Sequence, residues 1–361
     1  MSESLAHSRG ALVSAVLAGS WRPQSIEAKI SQSQLDEVTP LLHESGAAAL
    51  GWHRISRTDL RSSPSGDLLH QIYRLQTLQA AINETKIRKV FSRLRSAGIE
   101  PIIFKGWSIA RLYPEQGSRP YGDIDILVRP EDREAVKELL NEPEMRDCWV
   151  DLHDRLSELN DRKIDDLFER SQLVSLGDEQ IRILAPEDHF GLLAIHLLRH
   201  GAWRPLWLCD IGIALDSLPE KFDWDLCLGK SKLRRNWITS AIGLAQALLD
   251  AQINEPAIAE QAKQIPVWLV RNVLKQWAAP SASNQEPNNH RAPIASYLRD
   301  PRGVLGDLRR RWPNPILATI SINGKLNRLP RLPYQLGNCL NRTAKLVWQF
   351  PSRLSEKSDL Q

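Results

Sequence analysis

Apolar positions recur at helical spacing through much of the first hundred residues. Leu68, Ile72, Leu75, Leu78, Ile82, Val90, Phe91 and Leu94 fall near the 3.6-residue period from about 68 to 96, and Gly98 stands where a helix C-cap belongs. The pattern then shortens. PIIFK at 101–105 is a β-rich run ending at Gly106, and the following WSIARLY is compatible with a helix. Pro114, Gly117, Pro120 and Gly122 make 114–122 a loop. DIDILV at 123–128 reads as a second strand. RPEDREAVKELLNE then reads as a helix, with Pro130 at its start, acids in its first turn and an apolar stripe at Val136, Leu139 and Leu140. CWVDLH at 148–153 supplies a third strand, so strand, helix, strand, helix, strand predicts a small α/β unit. From Pro186 the pattern is helical again, in PEDHFGLLAIHLLRHG, PLWLCDIGIALDSL, 233–252 and 256–277. A polar stretch rich in Pro and Asn, 280–293, reads as a linker. These periods divide the chain into a helical segment (1–100), an α/β core (101–185), a helical domain (186–279) and a Pro-rich basic C-terminal segment (280–361).

Composition changes little in this picture. The chain of 361 residues is 42% hydrophobic and 25% charged with a net charge of +4, ordinary for a globular protein and too small for a general polycation. The basic residues are uneven: from Arg302 to Arg353 there are ten Lys/Arg against the single acid Asp307. Cys148, Cys209, Cys227 and Cys339 show no CxxC or paired spacing, which points to reduced core thiols and away from a zinc or disulfide framework. MSESLAHSRGALVSAVLAG is expected to be a helix and not a signal peptide, and no apolar run reaches the ~18 residues of a membrane span. A cytoplasmic protein is expected.

The chemistry lies in the carboxylates. On a strand Asp123 and Asp125 project to one face while Ile124 and Ile126 take the other. Like charges side by side lose hydration and repel, so something must compensate them. In CWVDLH, Asp151 also opposes the apolar face and joins the pair if that strand lies beside DIDIL. Three carboxylates on one sheet surface suit Mg²⁺, which prefers oxygen ligands and bridges them to phosphates; two ions ~3.5–4 Å apart would serve a phosphoryl transfer. FKG adds a lysine, a glycine that lets phosphate oxygens approach, and a helix N-terminus.

This constellation resembles the DNA polymerase beta superfamily of nucleotidyltransferases, and more closely a family of uncharacterised nucleotidyltransferases found widely in bacteria. The residues that carry the resemblance are Lys105-Gly106, Arg119-Pro120-Tyr121-Gly122-Asp123-Ile124-Asp125-Ile126-Leu127-Val128, and Val150-Asp151-Leu152-His153. Downstream, His196, Trp203, Leu206, Leu208 and Asp210 match its helical part. The resemblance covers about 35–275. It implies an α/β (α+β) fold with a small mixed-sheet nucleotidyltransferase core flanked by helical segments. It implies transfer of a nucleoside monophosphate from an NTP, with ATP the expected nucleotide, to an acceptor hydroxyl, releasing pyrophosphate. Asp123, Asp125 and Asp151 would be the catalytic carboxylates and metal ligands, with Asp151 able to take the hydroxyl proton. Lys105, Gly106, Ser108 and Arg119 would meet the nucleotide. The family's Gly-Ser is replaced here by Gly106-Trp107, with Ser108 one place later. The alternative is a catalytically inactive nucleotide-binding or interaction protein on the same fold.

His189, His196 and His200 share a helix face, and a metal phosphohydrolase would recruit Asp188 and Asp210; packed histidines are the simpler expectation. The basic C-terminal segment, with Trp312, Tyr334, Trp348 and Phe350 among its arginines, suits an anionic surface or a partner.

Overall fold

The computed structural model describes residues 9–22, 29–279 and 312–348. It opens with α1 (Arg9–Leu17), α2 (Gln32–Glu44), α3 (Ala48–Ile55) and the 33-residue α4 (Pro64–Ser96). The sheet region follows: β1 (Ile102–Ile103), α5 (Gly106–Ala110), β2 (Ile124–Leu127), α6 (Arg133–Leu140), β3 (Val150–His153), α7 (Ile164–Arg170), β4 (Gln172–Leu176) and β5 (Glu179–Ile183). Helices then return as α8 (Pro186–Arg199), α9 (Pro205–Asp216), α10 (Trp224–Leu228), α11 (Lys232–Leu249), α12 (Pro256–Ala262) and α13 (Val267–Trp277), with α14 (Pro315–Ser321) and α15 (Leu332–Trp348) last. Prolines open α4, α8, α9, α12 and α14, where a missing N–H costs nothing. The chain is thus a mixed α/β protein, as expected, and its mixed sheet has five strands where the sequence pattern predicts three.

The strand order is β3-β2-β1-β5-β4. β2 runs parallel to β3 and antiparallel to β1, while β1 is parallel to β5. The β4–β5 hairpin, turning at Gly177, was not anticipated: β4 is a half-exposed edge strand without a clean apolar alternation. The expected strand beside DIDIL is present, with Asp125 directly opposite Asp151.

The sheet separates two cores. Ile103, Ile124 and Ile126 pack with Ile87, Val90, Phe91 and Leu94 of α4 and Val136 of α6. The opposite face, through Leu127, Ile102 and Phe104, joins a larger core built from the N-terminal helices and α8 to α13. Ile316, Ile320 and Leu326 complete that core, so residues around α14 are bound into the helical body. α4 touches both cores, with Leu69 and Ile72 in one and Ile87 to Leu94 in the other. Its apolar pattern is only partly core-facing: Leu68, Leu75, Leu78 and Ile82 are exposed, because a helical period alone does not say which of two apolar faces is covered. Residues 280–311, including the expected linker, and Phe350 lie outside the described residues.

Candidate active site

A cleft of about 520 Å³ lies between the acidic face of the sheet and the α8–α9 pair. Lys105, Gly106, Arg119, Asp123, Asp125 and Asp151 all line it. Six of the seven residues expected at the site are therefore brought together. The loop ahead of β2 is anchored from α4, where Asn83 Nδ2 donates to Tyr121 O at 2.7 Å.

The strand pairing explains the carboxylates. Asp125 and Asp151 occupy matching positions of β2 and β3, and His153 follows two residues on, on the same face. Ligand atoms of Asp125, Asp151 and His153 lie within 4.8 Å of one another. His153 Nε2 is 2.9 Å from Asp151 Oδ2 yet forms no hydrogen bond, which leaves a buried nitrogen turned toward carboxylate oxygen. Two carboxylates and an orphaned imidazole nitrogen fit a divalent cation, whose charge would offset both carboxylates while the imidazole offers its lone pair. Asp123 stands just before the strand, exposed at the cleft wall and outside this trio. His153 was legible in the sequence as the residue after Asp151-Leu152, but only as part of a pattern.

Asp125 is buried, and burial is the main cause that raises its pKa; Asp123 and Asp151 add to the rise. Lys105 works against it, with Nζ 3.2 Å from Asp125 Oδ1. This lysine answers part of the repulsion directly. Its backbone has φ 55° and ψ −148°, a region that costs a non-glycine residue about 1–3 kcal/mol, and Gly106 follows at φ 35°. The strained pair turns the chain sharply from β1 into α5 and keeps the lysine over the acid.

Two of the expected residues have surroundings of their own. Ser108 does not reach the cleft. Two residues beyond Gly106 on a helix is a rotation of roughly 200°, and Ser108 is fully buried with an unpartnered Oγ beside Trp107, which belongs to the α4-side core. Arg119, expected at the phosphates, lines the cleft and is paired there with Asp210. Its Nη2 is 2.9 Å from Asp210 Oδ2 and its Nε 3.2 Å from Oδ1, while Tyr113 donates to the same carboxylate at 2.9 Å. Burial alone would lower the Arg119 pKa, but Asp210 holds it above its ordinary value. The pair ties the loop ahead of β2 to α9.

The far wall carries residues that the sequence reading left open or missed. His196 and Trp207 line the cleft with ring centroids 4.9 Å apart, and His200 and Trp203 extend the aromatic cluster. His196 Nδ1 lies 3.5 Å from Glu158 Oε1. Burial pushes the Glu158 pKa up, but His196, Ser157 and Lys105 bring it down to about 2. His189 is buried instead, and Asp188 pairs with Arg170 at 2.9 Å, so the histidine helix assembles no metal cluster among the described residues. Arg204, absent from any motif, lines the cleft at the head of α9. Its Nε donates to Ser45 O at 2.7 Å, and no carboxylate pairs with it among the described residues. Burial and the neighbouring Arg119 lower its pKa to about 10. Only its position in space, beside the Asp-x-Asp, marks it.

An α/β core with an Asp-x-Asp strand, a third acid on the parallel neighbour and a Lys-Gly turn at one cleft defines a protein of the nucleotidyltransferase class. The family model described as "Uncharacterised nucleotidyltransferase" matches residues 31–147 and 141–250, more than half of the chain, and the chain belongs to that family. None of the curated proteins compared with it matches. Among solved structures it is similar to an antigenic nucleotidyltransferase-like protein from Paracoccidioides brasiliensis. That likeness has 14% identity, covers 52% of this chain and 96% of the other, and has a TM-score of 0.34, too low to carry an argument.

Proposed function

We propose that the protein transfers a nucleoside monophosphate from an NTP to an acceptor hydroxyl and releases pyrophosphate. The observation that carries this reading is the register of Asp125 against Asp151 at the floor of a cleft with Lys105 and Arg204 on its walls. Asp125 and Asp151 would hold Mg²⁺, with His153 and Asp123 as further donors; such an ion, or a pair of them, offsets the charge on the attacking and leaving oxygens. Asp151, more exposed than Asp125, takes the proton of the acceptor hydroxyl as its oxygen bonds to the α-phosphorus and the α–β bridging bond breaks. Lys105, 3.2 Å from Asp125 and on the cleft wall, is the lysine that would meet the phosphates. Arg204, a cleft arginine with no acidic partner among the described residues, holds the triphosphate. Trp207 and His196 face the acceptor. A cytoplasmic location, where MgATP is abundant, agrees with this reading.

A second reading, nucleotide binding without transfer, is favoured by the inward position of Ser108. Incubation with Mg²⁺ and each α-labelled NTP, with and without cell extract, separates the two. Label transfer with pyrophosphate release, lost in Asp125→Asn, is the expected result. Transfer that survives Asp125→Asn/Asp151→Asn would move the site elsewhere, and binding without transfer to any acceptor would leave the second reading.

A further inference from the structure

α15 is packed inside out. Its inward side is polar: Asn338 is buried and donates to Ser321 Oγ, Gln335 Nε2 donates to Pro313 O at 2.8 Å, and Tyr334 sits under Arg331. Its outward side is apolar, with Leu332, Leu336 and Leu340 on successive turns 55%, 47% and 71% exposed, and Leu329 exposed just before them. A helix on the surface of a globular protein has the reverse arrangement. The charged residues of this part of the chain have one sign. Residues 312–348 contain Lys325, Arg328, Arg331, Arg342 and Lys345, and no Asp or Glu. Lys325, Arg328 and Arg342 are exposed.

We infer that α15 is an interfacial helix that docks the protein on an anionic lipid surface. The leucines would enter the boundary between headgroups and acyl chains, and the flanking cations would meet lipid phosphates. The helix lies along the surface and does not cross it: it spans 17 residues, about 25 Å, and no described helix is long and apolar enough for a membrane span. Charge also decides against a second copy of the chain as the occupant. An isologous contact would bring the same cations face to face with no acid in the segment to offset them. This inference stands apart from nucleotidyl transfer and would survive its failure.

The test is co-sedimentation of the full chain with vesicles of phosphatidylcholine alone and of phosphatidylcholine with phosphatidylglycerol at about 3:1. The expected result is binding to the anionic vesicles only, weakened by salt. Leu336→Asp/Leu340→Asp should reduce binding at least about tenfold, and Arg328→Glu/Arg342→Glu should remove the preference for anionic lipid. A thermal melt checks each variant, and Leu336→Ser/Leu340→Ser replaces the aspartates if they unfold the chain. Absence of binding to anionic vesicles, or equal binding by the leucine variants, overturns the proposal. So does a dimer in sedimentation velocity that the leucine variants dissolve while vesicle binding is unaffected.

Discussion

Asp210→Ala removes a carboxylate that accepts three hydrogen bonds, two from Arg119 and one from Tyr113, in a place where its own side chain is 1% exposed and that of Arg119 is 7%. The stranded guanidinium keeps only its 3.1 Å bond to Pro120 O. Breaking one side of a buried ion pair costs about 3–5 kcal/mol, because the remaining charge has lost its hydration without its partner. In a chain of this length that corresponds to a fall of roughly 4–7 °C in Tm. Arg119→Met/Asp210→Leu removes both charges and should recover part of the loss. The Tyr113 hydroxyl would still be unsatisfied, at about 1–3 kcal/mol. Adding Tyr113→Phe should bring the triple variant within about 1 kcal/mol of the natural chain, provided the apolar replacements fill the space. Urea unfolding followed by circular dichroism gives the free energies, and Mg-NTP titration of each variant gives affinity. A loss below about 1 kcal/mol in Asp210→Ala would refute the reasoning. So would an Arg119→Met variant of undiminished stability whose nucleotide affinity alone collapses, since Arg119 would then be a phosphate ligand.

Other expectations follow from the cleft and its neighbours. Asp125→Asn and Asp151→Asn should each lower the rate of label transfer by on the order of 10²–10³-fold or more while the far-ultraviolet spectrum is unchanged. Arg204→Ala should weaken Mg-NTP binding by about 10–150-fold, the range for a hydrogen bond to a charged group, measured by calorimetry; an unchanged affinity would remove Arg204 from the nucleotide. Mg-NTP at about 100 times its Kd should stabilise the fold by about 2.7 kcal/mol, read as a Tm increase that Asp125→Asn abolishes. Glu158, with a pKa near 2 in the fold against about 4.3 when unfolded, contributes stability that is complete above the unfolded value and lost as pH falls toward 2. Buried His189, lowered to about 3 by burial and by the Arg111 charge, acts with the same sign: it must take up a proton on unfolding below about pH 6.5. Glu158→Gln should therefore flatten the acid limb of the stability curve below about pH 4.3, and an identical limb would refute this contribution.

The sheet was legible where alternation was clean. Ile124 and Ile126 against Asp123 and Asp125 separated the apolar face from the acidic one, and Val150-Asp151-Leu152 repeated the pattern. The adjacency of β2 and β3 stood only as a condition until the structure paired them. The β4–β5 hairpin was not legible, because an edge strand covers no continuous core and leaves little periodic trace. The same limit applies at the site. Lys105, Gly106 and the acids are close in sequence or share a sheet, whereas the partner of Arg119 is 91 residues away and Arg204 reaches the cleft only because α9 folds over it. Ser108 was expected at the nucleotide from the family's Gly-Ser, although it stands one place later here, and the helical turn rotates it into the interior.

The long helix α4 has a consequence for how the molecule comes apart. One rod of 33 residues contributes side chains to both apolar interiors, so neither can loosen without dragging the end that the other grips. The stretch from 101 to 185 looks like a detachable cartridge in its order of strands and helices, yet cutting it free would strip Ile87, Val90, Phe91 and Leu94 from beneath the sheet. A shortened version that retains the cleft carboxylates must carry this beam along, and melting should proceed as a single event.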